Sequence, residues 1–151
     1  MARVLVCRIR NVLAGLRIGD VVETLRPLPV EPLADKPAFV AGLAIIRGLP
    51  TPVVDVGALL GVGGASDWTR FVTVRTRHGE VALAVDAVIG VSEVADAEFR
   101  ELPSLVQTAD ARHVATVAAR DQALLFVLEA ARVIEAAQIV PSDLSERAVR
   151  Q

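Results

Sequence analysis

Laying the chain over itself with a displacement of 67 residues places Arg3-Val4-Leu5-Val6-Cys7-Arg8-Ile9-Arg10 on Arg70-Phe71-Val72-Thr73-Val74-Arg75-Thr76-Arg77, after which Leu16 meets Leu83 and Val21 meets Val88. Both segments are apolar and β-prone, so each half opens with the same hairpin. His78-Gly79 supplies the turn of the second copy, and Asn11 is its counterpart in the first. A displacement of 74 residues lays Val53-Val54-Asp55-Val56-Gly57-Ala58-Leu59-Leu60 on Val127-Leu128-Glu129-Ala130-Ala131-Arg132-Val133-Ile134, a strand followed by a short helical turn that begins with an acid. Two related β units in tandem are the simplest reading of such internal repetition.

The chain has 151 residues, enough to bury a real core as one domain or two very small ones. Hydrophobic residues make up 53% and aromatic residues 3%, so that core is built from Val, Leu, Ile and Ala rather than from rings. An apolar excess on a small protein marks surface reserved for a partner. Sixteen Lys and Arg are scattered among eighteen Asp and Glu for a net charge of −2, which argues against nucleic acid as a partner. The longest apolar runs, such as residues 123–128, fall far short of the roughly 20 residues a membrane span needs, and the N-terminus lacks the apolar segment of a signal peptide. A cytoplasmic protein without direct membrane insertion is expected. The single cysteine, Cys7, excludes an internal disulfide and reads as a buried strand residue.

Catalytic chemistry finds little to work with. His78 falls in a turn and His113 precedes a strand, and two histidines without a Cys pair make no persuasive zinc site. Gly61-Val62-Gly63-Gly64 lacks the Lys-Ser/Thr of a phosphate loop and reads as a flexible linker continuing through Asp67. Asp55, Asp86 and Glu129 lie at strand ends, where capping is the ordinary use; Asp55 precedes Val56-Gly57-Ala58-Leu59-Leu60 with Gly61 as a stop. A helical turn is expected over residues 96–100 before Pro103. Residues 129–138 read as helix on their alanine content, with a last amphipathic turn after Pro141 capped by Ser142. No enzyme, cofactor or metal is expected.

The stretch from Pro29 to Leu60 displays a cation instead. Apolar residues 39–46, interrupted by Gly42, lead to Arg47-Gly48, which turns the chain into Pro52-Val53-Val54-Asp55. An arginine there either pairs with a nearby acid to fix the packing between units or anchors a protein interface. Val21-Val22-Glu23, Pro37-Ala38-Phe39-Val40, Gly42, Arg47-Gly48, Pro52-Val53-Val54-Asp55 and Leu59-Leu60-Gly61, in that order and spacing, resemble the CheW family, the coupling proteins of bacterial chemotaxis arrays. Val85-Asp86 and Leu128-Glu129 extend the resemblance over roughly residues 3 to 134.

The resemblance implies an all-β fold of two small interlocked antiparallel barrels, the first strand belonging with the second barrel. That makes residues 1–151 a single domain with approximate subdomains of 11–66, of 1–10 plus 67–136, and a tail of 137–151 with a C-terminal helix. It implies a non-enzymatic adaptor with two partners, the regulatory domain of a CheA-type histidine kinase and the cytoplasmic tip of a chemoreceptor, recruited to membrane-associated receptor arrays. Residue by residue, Arg47, Gly48, Gly42, Val21 and Glu23 match positions tied to partner contacts, and Val88 lies on the corresponding second-half segment. Each has a bland alternative: core packing for Val21 and Val88, a solvated strand charge for Glu23, close backbone approach for Gly42. Ile45 stands where many members carry Asn, Ala115 where Gly is common, and Glu129 where Asp is usual. Two other readings stay open. One is a small-ligand-binding β-barrel; the other is the regulatory domain of a larger signalling protein, which the span from Met1 to just past the last helix leaves little room for.

Overall fold

The computed structural model describes residues 1–64, 67–101, 116–120 and 123–129. Eleven strands carry these residues: β1 (Ala2–Ile9), β2 (Val12–Arg17), β3 (Val21–Leu25), β4 (Val40–Ile46), β5 (Leu49–Asp55), β6 (Arg70–Thr76), β7 (Gly79–Val85), β8 (Ala87–Val94), β9 (Phe99–Glu101), β10 (Thr116–Arg120) and β11 (Ala123–Leu128). One short helix, α1 (Val56–Leu59), follows β5, and single 3-10 turns occupy Ile18–Asp20 and Asp96–Glu98. The expected helical turn after Asp96 is thus three residues long and gives way to β9. The expected helix over 129–138, the C-terminal tail, Pro103, His113 and Ala115 lie outside the described residues, apart from Glu129.

The strands form two sheets, in the orders β8-β1-β2-β11-β10-β9 and β3-β6-β7-β5-β4. The all-β expectation of two interlocked units holds, and the interlocking is reciprocal. Hairpin β1–β2 of the first half sits between β8 and β11 of the second, while hairpin β6–β7 of the second half sits between β3 and β5 of the first. The sheet limits therefore depart from the expected subdomain limits. Residues 12–17 stay in the six-stranded sheet with β1, and residues 70–85 join the five-stranded sheet. The reason is local, since a two-residue connection joins Ile9 to Val12 and another joins Thr76 to Gly79, and so tight a loop keeps both strands of a hairpin in one sheet.

Pairing registers carry the duplication into three dimensions. Cys7 faces Ala14 in β1–β2 and Val74 faces Val81 in β6–β7, the same pair displaced by 67. Val21 and Glu23 of β3 face Val74 and Thr73, skipping Val22; Val88 and Gly90 of β8 face Cys7 and Val6, skipping Ile89. One bulge thus recurs at equivalent residues and bends both edge strands alike. With the displacement of 74 for one partner and of 67 for the other, the parallel pairs Val53–Ala82 and Val54–Leu83 become Val127–Gly15 and Leu128–Leu16.

Central strands are buried on both faces, which is why they read as unbroken apolar runs. In β1, Leu5, Cys7 and Ile9 face a core shared between the sheets with Leu16, Val54, Val72, Val74, Leu83 and Leu128. The alternate residues Val4 and Val6 join Val94, Leu125 and Val127 on the other face. In the five-stranded sheet Phe71, Ala82 and Ala84 likewise turn to a separate core with Ile46 and Val53.

Candidate partner-binding site

The site is built on the β4–β5 hairpin. Arg47 and Gly48 are its two loop residues, with φ of 53° and 79°, and positive φ at both positions is the signature of the type I′ turn that matches strand twist. A side chain added at Gly48 would meet open space, so the glycine serves the backbone conformation rather than a close approach. The turn lifts Arg47 away from the sheet and leaves its side chain 72% exposed.

Arg47 is not unpartnered. Its Nε donates to Glu23 Oε2 at 2.7 Å, and its terminal nitrogen Nη2 lies 2.6 Å from the same oxygen. Glu23 belongs to β3 and Arg47 to the tip beside β4, which are opposite edges of the five-stranded sheet. In a flat sheet those edges would stand about 19 Å apart. The ion pair therefore requires the sheet to roll until its edges approach, and the buttressing role and the exposed position coexist in one arginine.

Around this cation the hairpin exposes two large apolar side chains, Ile45 at 62% and Leu49 at 67%. Exposed arginine beside exposed aliphatic residues is the composition of an interface centre rather than of a solvated loop. Ile45 was visible in the sequence as a departure from the family pattern. Leu49 was not, because it faces the buried Ile46 across the hairpin and strand alternation marks it as inward; only its place at the rim exposes it.

The remaining expected residues divide differently. Gly42 is buried at a bulge of β4, and a side chain there would overlap the carbonyl oxygen of Glu31, whose backbone pairs with Leu43 through bonds of 2.7 and 2.9 Å. The glycine thus serves close backbone approach and shapes the hairpin from beneath. Val21 and Val88, equivalent under the 67-residue displacement, both pack half-buried against the core between the sheets. Val88 lies in the other sheet, and its neighbours on the β8 edge, Ile89 and Val91, are exposed.

The acids find ordinary uses. Asp55 accepts a bond from the Ala58 backbone N–H at 3.3 Å and caps α1 as expected. Glu129 accepts from Arg17 Nε at 3.3 Å, and the Arg17 guanidinium also lies 4.9 Å from the centre of the Phe99 ring. Asp86 receives Arg10 through the Nη1 group at 2.9 and 3.0 Å and through the Arg10 backbone N–H at 2.6 Å. Burial pushes the Cys7 thiol up to about 12, away from reactivity. Among the described residues no three His, Cys, Asp or Glu side chains gather as a metal site, and no helix is long and apolar enough to cross a membrane.

Two interlocked sheets, with an exposed arginine at the tip of the β4–β5 hairpin, define the class of the module. The chain belongs to the CheW-like domain family, whose model matches residues 3–138. It is 33% identical over 79 residues to the chemotaxis protein CheW of Rhizobium meliloti (strain 1021), a match spanning 51% of each chain, or about half the length of that relative. It is 26% identical over 128 residues to a probable chemotaxis protein CheW of Rhizobium etli, covering 78% of this chain and 83% of the relative. The crystal structure of the scaffolding protein TtCheW from Thermoanaerobacter tengcongensis superposes with a TM-score of 0.77 at 27% identity, over 89% of this chain and 92% of that one.

Proposed function

We propose that this chain is a single-domain, non-enzymatic cytoplasmic adaptor that couples chemoreceptors to a CheA-type histidine kinase. The carrying observation is the β4–β5 tip, where Arg47 stands exposed between Ile45 and Leu49 on a turn that both Gly48 and the Glu23 ion pair hold in place. An adaptor needs rigid display rather than a reaction centre. Sheet burial on two faces supplies the rigidity, and an exposed arginine flanked along the hairpin by exposed Ile45 and Leu49 supplies affinity and register. Holding receptor and kinase at once lets a receptor shift bias kinase activity through fixed geometry. In this reading Arg47, Gly48 and Glu23 form the contact, Gly42 shapes the hairpin beneath it, and Val21 and Val88 set the edge strands against the core.

Calorimetric titration against the regulatory domain of the CheA-type kinase and against a receptor-tip fragment tests the reading. Binding to both is expected, and Arg47→Ala is expected to weaken at least one of them by roughly tenfold or more. A folded, monodisperse protein that binds neither would overturn the proposal.

A further inference from the structure

Between β3 and β4 the chain reads Arg26-Pro27-Leu28-Pro29-Val30-Glu31-Pro32-Leu33, a segment in no helix or strand apart from one β-bridge at Glu31. Its burial repeats every third residue. Arg26, Pro29 and Pro32 are exposed, as are Leu28 and Glu31, whereas Pro27 and Val30 are half-buried and Leu33 is buried. A strand would alternate with a period of two and an α-helix with 3.6; a period of three on a proline-rich segment is that of polyproline II. The segment lies on the protein as a three-edged rod. Residues 27, 30 and 33 form the edge turned inward, and 26, 29 and 32 with 28 and 31 form the two turned outward.

The inward edge is anchored. Val30 packs on the core of Ala44, Ile46, Val53 and Phe71, and Leu33 is buried with Val40 and Leu43. Between them Glu31 exchanges backbone bonds of 2.7 and 2.9 Å with Leu43, an approach that the missing side chain of Gly42 permits. Pro27, Pro29 and Pro32 each fix their own φ near the polyproline value, so the rod holds its shape before any partner arrives. The outward edges present two Xaa-Pro steps, Leu28-Pro29 and Glu31-Pro32, and ahead of them a cation. Arg26 takes part in none of the ion pairs among the described residues.

We propose that this rod is a second docking surface, taken by a partner domain whose groove is lined by aromatic rings and bordered by an acidic pocket, the chemistry of SH3-type proline-rich recognition. A shallow groove touches only two edges of a three-edged rod. The edge it leaves aside is the one that Val30 and Leu33 already commit to the core, so docking needs no part of the fold to open. Leu28-Pro29 and Glu31-Pro32 seat against the rings, and Arg26, on the same edge as Pro29 and Pro32, reaches the acidic pocket with an uncommitted guanidinium. Because the rod is held in its bound shape, little ordering entropy opposes association. The surface uses none of Arg47, Gly48 or Glu23 and is independent of the adaptor reading.

Calorimetric titration of the whole chain with an SH3-type domain that carries an acidic pocket beside its aromatic groove tests it, with a free peptide of residues 24–34 titrated in parallel. The whole chain is expected to bind, and at least as tightly as the peptide, since its rod is already ordered. Arg26→Glu and the double variant Pro29→Ala/Pro32→Ala are each expected to weaken binding by roughly tenfold or more. Circular dichroism and urea midpoints check that the variants stay folded; should the proline variant unfold, Arg26→Glu, at an exposed position, still decides. A whole chain that fails to bind, whether or not the peptide binds, or one whose binding both variants leave unchanged, would overturn the proposal. The probe is neither kinase nor receptor, so its result does not hang on theirs.

Discussion

Arg47 and Gly42 show how one hairpin separates display from support. The Arg47–Glu23 pair is largely solvent-exposed on the arginine side, and exposed ion pairs contribute about 0–1 kcal/mol. Arg47→Ala is therefore expected to shift the urea midpoint little while it weakens partner binding. Gly42 behaves in the opposite way. With φ of 147° and the Glu31 carbonyl where a side chain would begin, Gly42→Ala is expected to cost about 2–4 kcal/mol, read from the same denaturation curves. Cys7 adds a pH dependence. Its thiol, ordinarily near 9.0, is held up at about 12 by burial, so above pH 9 the unfolded chain releases a proton that the folded chain keeps. Stability is expected to be intact in this respect below pH 9 and to fall as pH rises toward 12. Urea midpoints across that range check it, with Cys7→Ala flattening the alkaline slope.

At the scale of elements, turns and caps were legible because a few residues decide them. Arg47-Gly48, the His78 turn and the Asp55 cap each depend on neighbours within three or four positions; the first and last formed where the residues placed them, and the second lies one residue earlier, at Arg77-His78, with Gly79 opening β7. Bulges were not legible. Val22, Ile89 and Ala41 are skipped in their ladders without any local mark, since a bulge answers the curvature a closing sheet must take. The connection after α1 misled for a related reason. Its glycines permit mobility, but the Arg10 guanidinium that pins Gly63 comes from 53 residues away.

At the scale of the whole molecule, reciprocal hairpins make the two sheets one cooperative unit. Removing β1–β2 from the six-stranded sheet also strips Leu5, Cys7, Ile9 and Leu16 from the core shared with the other sheet. A single two-state transition is expected, with calorimetric and van't Hoff enthalpies equal and fluorescence of Trp68, beside the five-stranded sheet's core, tracking overall strand content. Two resolved transitions would show that the sheets unfold separately and that their interlocking carries less energy than their contacts indicate.

The residues alone determined the repeat, the strand-rich class, the turn that carries Arg47 and the cap at Asp55, because periodicity, turn chemistry and capping act over a few positions. Tertiary structure alone decided which sheet each hairpin joins, that Glu23 meets Arg47, and that Leu49 reaches solvent. A strand such as Val4-Leu5-Val6-Cys7, buried on both faces, has no alternation to indicate its neighbours, and pairings across 24 or 76 residues are chosen by the fit of whole surfaces.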